Sequence, residues 1–425
     1  MGIKILRQSS LLIFLLSFSI PVFSAEPAPT PPAEVEYQVY EYEPLPPPKL
    51  EIKQEKKGNK WNFFGPPPEA PRTILTSSDD VLVGYKLGQG FFFKTPKEDY
   101  SLHIAWRLMS RYHYSWLENQ TNESTFEVNS LRLKLYGNAF SPKLKWFTQT
   151  ELYKSVVLKD AFLEYTFVDE LTVKGGQTSS PVCREAEVFS GTSNFINNAI
   201  AINNFCPGRD IGIDVSGDIT KWFTYATYVY NGEGTNRTNQ NEELVFGARI
   251  MANLLGEKIP YKAGDFDYSR SPRLALGAAF HYNTGNIDET TTNRPNDTFM
   301  GTTDLTFLFR GLYLDSSAFY LRNMTLKKID LGFSGRLGYF ILPKRLDFSI
   351  GASTVIPDSS GTAMPMSGVN KTSTIPVYDT SYAINYYIFG GHEFKIQSEY
   401  RTIFNKDGIK NLNDNILTFQ LVTFF

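Results

Sequence analysis

Arginine and lysine recur in this chain two or four residues apart, inside segments that alternate apolar and polar side chains. The polar faces of these segments carry Arg107, Arg111, Arg132, Lys134, Lys143, Lys145, Arg249, Arg336, Arg345, Lys395 and Arg401. The same faces carry Glu151, Asp160, Glu164, Asp214, Asp347, Glu393 and Glu399. Fixed cations lining a channel favour anions, and their hydrogen bonds to anions are charge-assisted. Eleven bases against seven acids leave a modest anion bias; the bland alternative is that opposite charges pair and merely solvate a wall. The only two cysteines, Cys183 and Cys206, have the bases Arg184 and Arg209 beside them, which are further candidates to line a channel. In an exported chain an even cysteine pair reads as a disulfide. Closing a loop of that length stabilises by about 3 kcal/mol in the chain-entropy description. The four histidines, His103, His113, His281 and His392, show neither metal spacing nor a Ser-His-Asp context. No enzyme chemistry, metal or cofactor is expected.

Such side chains need strands to aim them. In EFKIQSEYRTIF, Phe394, Ile396, Tyr400 and Phe404 face one way, and Lys395, Gln397, Glu399 and Arg401 the other. Alternation of this kind fits an antiparallel barrel, apolar toward lipid and polar toward a wet lumen. Aromatics make up 15% of the chain while mean hydropathy is only -0.25, which suits alternation along strands rather than apolar blocks. Sixteen strands are expected, near 99 to 113, 125 to 138, 143 to 153, 157 to 168, 170 to 177, 209 to 218, 221 to 231 and 243 to 253. The second eight lie near 272 to 284, 300 to 310, 312 to 323, 330 to 341, 345 to 355, 381 to 390, 393 to 404 and 413 to 425. Short turns alternate with longer polar loops, except that 254 to 271 is long where a short turn is due. It either holds a small helix or marks an error in the count. A further segment, VLVGYKLGQGFFF at 81 to 93, is expected to form an N-terminal hairpin inside or beneath the barrel.

The ends of the chain fit this reading. Residues 1–24 carry Lys4 and Arg7, an apolar run too short to span a bilayer, and a small-residue cleavage context, as a secretory signal peptide does. Residues 25–80 form a Pro-rich segment with 12 of the 24 prolines, expected to be a disordered periplasmic tail that either tethers or only spaces. The barrel is assigned to 81–425. At the other end, Leu417, Phe419, Leu421, Thr423 and Phe425 share one face of the last strand, and the terminal Phe425 looks like the assembly signal read by the barrel-assembly machinery. The formal charge of -2 offers no strongly basic surface for nucleic acid.

Several stretches resemble the phosphate-selective porin O and P family of outer-membrane channels. They are GFFFKTPKEDYSLHIAWRLMSRYHY (90 to 114), LRLKLYGNAFSPKLKWFTQTEL (131 to 152), LKDAFLEYTFVDELTVKGGQ (158 to 177), PGRDIGIDVSG (207 to 217) and INYYIFGGHEFKIQSEY (384 to 400). The resemblance implies a 16-stranded, trimeric barrel in the bacterial outer membrane, whose third external loop, here 178–208, folds into the lumen. It implies passive passage of small hydrophilic solutes with a preference for small anions, inorganic phosphate among the candidates. The chain departs from the family pattern at two places. Asn129 and Ser130 stand where paired arginines are usual, and Ile196-Asn197 where a Glu-Arg pair is usual. The alternative function is a surface barrel that acts through its external loops and conducts little.

Because 26 to 72 has no alternating segment, its removal is expected to leave the heat-modifiable electrophoretic mobility of the barrel intact. Loss of that mobility on truncation would show that the segment pairs with or plugs the barrel.

Overall fold

The computed structural model describes residues 65, 67, 74–77, 81–117, 121–188, 190–239, 242–287, 295–364, 369 and 372–425. The signal peptide and nearly all of the Pro-rich segment lie outside the described residues. Three short strands come first: β1 (Ile74–Ser77), β2 (Leu82–Lys86) and β3 (Gly90–Lys94). Eight follow: β4 (Ser101–Leu117), β5 (Glu123–Ala139), β6 (Ser141–Glu151), β7 (Val157–Val168), β8 (Leu171–Ser179), β9 (Arg209–Thr220), β10 (Phe223–Tyr230) and β11 (Val245–Leu255). The rest are β12 (Arg273–Ile287), β13 (Pro295–Phe309), β14 (Leu312–Asn323), β15 (Lys328–Leu342), β16 (Leu346–Ile356), β17 (Val377–Tyr387), β18 (Phe394–Phe404) and β19 (Asp414–Phe424). The strands β4 to β19 each pair antiparallel with their neighbours in sequence. Pairing of β19 with β4 closes the sheet. Sixteen strands form the barrel, as the alternation predicts.

Closure satisfies the backbone, and the side chains then sort by parity. On β18 the outward Ile396, Tyr400 and Phe404 stay exposed while Lys395, Gln397, Glu399 and Arg401 are buried. Outward Phe333, Leu337, Tyr339 and Ile341 repeat the pattern on β15, as do Tyr378, Tyr382 and Ile384 on β17. A continuous exposed apolar band on a water-soluble protein would be an aggregation hazard. On a closed barrel it is the surface that hydrocarbon covers, which places the protein in an outer membrane. No helix among the described residues is long and apolar enough to cross one.

The long connection between β11 and β12 is neither a miscount nor a helix. It turns back into the barrel. Ile259, Ala263 and Phe266 are buried, and Asp265 holds the turn by accepting from the Ser269 amide and hydroxyl and from the Gly311 amide. The connection therefore acts as a strap at the end where the short turns lie. At the other end the loop after β16 also enters the barrel. Ala363 and Val369 are buried there, and Asp330 accepts from the amides of Asp358 and Ala363.

The N-terminal strands lie at the short-turn end. β3 pairs with the first four residues of β4, Phe91 opposite Ile104 and Lys94 opposite Ser101, and β2 and β1 add outward from it. This is the expected hairpin, beneath the barrel and not within it, with one strand more. Gly90 adopts φ +77° and sits where a Cβ would meet the Ile104 carbonyl at 2.0 Å.

Phe425 completes the seam. Its amide donates to the Trp106 carbonyl at 3.0 Å, and its carbonyl accepts from the Trp106 amide at 2.5 Å. Deleting Phe425 is expected to lower the yield of assembled barrel severalfold, whereas Phe126→Ala, at the most exposed of the large apolar positions, should not. Heat-modifiable mobility of the membrane-extracted protein reads both, and equal yields would count against Phe425 as an assembly signal.

Candidate functional site

Loop 180–208 leaves β8 at the long-loop end, crosses the lumen and returns to β9. It contains two short helices, α1 (Arg184–Glu187) and α2 (Ile200–Phe205), and a 3-10 turn at Ser190–Thr192. Cys183 precedes α1 and Cys206 follows α2, and the two are joined in a disulfide that closes the base of the loop. The disulfide expected of this cysteine pair is present.

The loop is docked along its length on one side of the wall. On α1, Glu185 pairs with Arg336 at 2.7 Å and accepts from Ser334. Burial pushes the Glu185 carboxyl up to about 7, against the pull of Arg336. Beyond α1, the Ile196 amide, the Asn197 amide and the Asn197 side chain all donate to Glu399, at 2.5, 3.1 and 3.1 Å. Asn385 and Lys395 donate to the carbonyls of Asn194 and Ser193. Apolar packing continues along α2. Phe205 stacks on Phe319 with centroids 5.4 Å apart, in space left by Gly332, where a Cβ would meet the Phe205 ring at 2.4 Å. Val182, Ile200, Ile202 and Phe205 share one buried cluster with Tyr228, Tyr230, Val355, Val369 and Val377.

The strap reaches the same loop from the other end of the barrel. The Ala263 amide donates to the Thr192 carbonyl at 3.0 Å, and the Ala263 carbonyl contacts Nε2 of His392 at 2.9 Å. Arg184 spans both segments: it donates to Thr306 on the wall and to the Pro260 carbonyl on the strap, and it lies over the Tyr261 ring.

Many of the bases expected to line a channel are consumed by this docking. Arg184, Arg249, Arg336, Lys395 and Arg401 are all buried. Arg249 grips Asp304 through two contacts of 2.7 and 2.8 Å, and Arg401 pairs with Asp379 at 2.7 Å. They hold loop and wall together instead of facing water, a correction to the reading from alternation. Parity gives the direction of a side chain but not what lies on top of it. Arg345, also buried, sits in the turn between β15 and β16 against Tyr386 of β17.

The opposite wall is different. Inward-facing Arg132, Lys134 and Tyr136 on β5, Phe147 and Glu151 on β6, Phe162 and Glu164 on β7, Lys174 on β8 and Arg209 on β9 all keep partial exposure. Inward side chains that keep contact with water are therefore gathered on β5 to β9, facing the loop, among buried Gln149, Asp160, Gln177 and Asp214. Where the loop comes nearest β4 its residue is Gly191, at which a Cβ would meet the Phe424 ring at 2.4 Å and Arg107 Cδ at 3.1 Å. Arg107 is buried at that edge and donates to Ser130. Beside it, Arg132 pairs with Glu151 and Arg209 with Asp160, each at 2.8 Å. Arg111 pairs with Glu127 at 2.6 Å nearer the long-loop end. Arg132 and Arg209 lie within electrostatic reach of Arg107, of Lys134 and of Lys159. Lys159, half-buried beside Asp160, is the member that sequence reasoning missed, because it is the extra residue of a β-bulge: Gln149 pairs with Asp160 and Thr150 with Leu158.

Solved structures that align with the chain include outer-membrane barrels. OmpF of Salmonella typhi aligns at a TM-score of 0.54 and 11% identity over 77% of this chain and 98% of its own. The channel DcaP of Acinetobacter baumannii aligns at 0.52 and 11% over 78% and 99%. The chain has the fold of an outer-membrane porin. An anion-selective porin from Comamonas acidovorans aligns at 0.52 and 8% identity over 76% of this porin-fold chain and 100% of its own. No sequence family and no curated protein matches it.

Because Glu399 alone receives three hydrogen bonds from the loop, Glu399→Ala is expected to free the Ile196-Asn197 segment. Each charge-assisted bond of this kind is worth about 1.5–3 kcal/mol. Single-channel records should show greater current noise in this variant, and more noise than reduction of Cys183–Cys206 produces, since the docked contacts remain after reduction. Quiet, unchanged channels in an assembled Glu399→Ala barrel would contradict this account of the docking.

Proposed function

We propose that the chain is a passive diffusion porin for small hydrophilic solutes with a preference for anions. The observation that carries this reading is the charge on the wall from β4 to β9: five bases, Arg107, Arg132, Lys134, Lys159 and Arg209, against Glu151 and Asp160. A low-dielectric wall focuses such a field into the lumen. Homotrimeric assembly and delivery by the barrel-assembly machinery through β19 complete the proposal and rest on the family resemblance.

Inorganic phosphate is a poor fit as the selected solute. Ser130 is buried between Arg107 and Glu151, and Asn197 is held by Glu399. An arginine introduced at 197 would meet the Glu399 carboxylate, so Asn197→Arg should not create strong phosphate block. Phosphate is expected to reduce chloride current only weakly in the unmodified protein.

A second reading, a barrel that mainly presents its loops, draws support from the filling of the lumen by the third loop, the strap and the loop after β16. Planar-bilayer recording separates the two. The purified barrel should pass current, and its reversal potential in a salt gradient should favour chloride over potassium. Lys134→Ala with Lys159→Ala should lower that preference severalfold. Assembled barrels that pass no current would overturn the porin reading, and cation preference would overturn the role given to the bases.

A further inference from the structure

The wall formed by β5 to β9 breaks its own alternation rule. Inward positions on a wet strand are normally polar, yet Tyr136 on β5, Phe147 on β6 and Phe162 on β7 are inward, aromatic and partly exposed. They are directly opposed in register, Tyr136 with Phe147 and Phe147 with Phe162, and His103 on β4 extends the row behind Tyr136. Ring centroids are 4.6 Å apart for His103 and Tyr136, 6.2 Å for Tyr136 and Phe147, and 5.4 Å for Phe147 and Phe162. Beyond Phe162 the row continues through Gly176 on β8 and Gly212 on β9, which add no side chain. Strands of such barrels tilt by about 35–45°, so a row along the hydrogen-bond direction climbs the wall obliquely. It rises from the short-turn end at His103 to mid-wall at Phe162.

Charged rows flank it on both sides. Toward the long-loop end stand Lys134 and Gln149, with Arg132 and Glu151 beyond them; toward the short-turn end stand Asn138, Lys145, Glu164 and Lys174. Lys174 reaches over the Phe162 ring at 5.3 Å. The rings of His103 and Tyr136 are 13° from parallel and those of Phe147 and Phe162 25°. Tyr136 and Phe147 are tilted by 40° to one another, and Tyr136, Phe147 and Phe162 all keep part of their surface exposed. The strip therefore offers apolar contact beside the bases already described.

We propose that this strip is a subsite for anions whose charge is carried on a flat apolar body, aromatic carboxylates being the simplest. The inference rests on the porin reading and names a solute class for it. An inorganic anion gains nothing from the rings, and a neutral aromatic forms no ion pair with the bases; an aromatic carboxylate gains from both. Its ring would lie along Tyr136, Phe147 and Phe162, and its carboxylate would meet Lys134 or the Arg132 side of the row.

Benzoate and acetate test this, since they share a carboxylate and differ in the ring. With the assembled protein in planar bilayers, benzoate should depress chloride current saturably at concentrations where acetate has no such effect. In the double variant Phe147→Ser with Phe162→Ser, half-maximal depression should require about fivefold more benzoate or still higher concentrations. Equal effects of benzoate and acetate on the unmodified protein would overturn the inference, whether or not the variant assembles, and so would undiminished benzoate sensitivity in an assembled variant. Absence of any chloride current would overturn the porin reading itself, an outcome distinct from both.

Discussion

Hydrocarbon cannot accept or donate a hydrogen bond, so every backbone group that faces it must find a partner within the sheet. The rest of this structure follows from that constraint. It forces β19 back onto β4, it leaves only two directions for each strand side chain, and it creates an interior that must be filled or left wet. The seam at Trp106 and Phe425 is where the constraint is finally met, because the last residue supplies both a donor and an acceptor to the first barrel strand.

The interior solves its filling problem unevenly. Along β11 to β18 the inward positions carry paired charges and apolar groups that receive the third loop, and several of those charges are buried on both sides. Buried pairs of this type are weak contributors to net stability but costly to break singly, so they fix where the loop sits more than how tightly it folds. Along β5 to β9 the third loop docks far less, although Asn236 of the β10–β11 loop bonds Gln177 and the Leu158 carbonyl, and several inward residues there, such as Arg132, Lys134 and Glu151, keep contact with water. The difference between the two walls is made by 29 residues of loop rather than by the strands themselves.

That unevenness explains what could be read in the sequence. Strand number, strand direction and the facing of each side chain were legible, because period-two alternation reports them directly, as at Ile396 and Lys395. The disulfide was legible from two cysteines in an exported chain. The fate of an inward base was not: Arg132 and Arg249 look alike in their strands, yet one keeps contact with water and the other lies under Val182. The strap was visible only as a length anomaly, since its turn depends on Asp265 meeting Gly311, 46 residues away. The aromatic row was hidden for a related reason. Tyr136, Phe147 and Phe162 are far apart in sequence and become neighbours only through the register of three strands.

The strap has a mechanical consequence. Ala263 touches the third loop through its amide and the turn before β18 through its carbonyl, by way of His392. The third loop is thus braced from both mouths of the barrel. This short peptide link joins the rim at the short-turn end directly to the loop, without passing through the wall. One residue, Ala263, thereby ties the two ends of the barrel to the same loop.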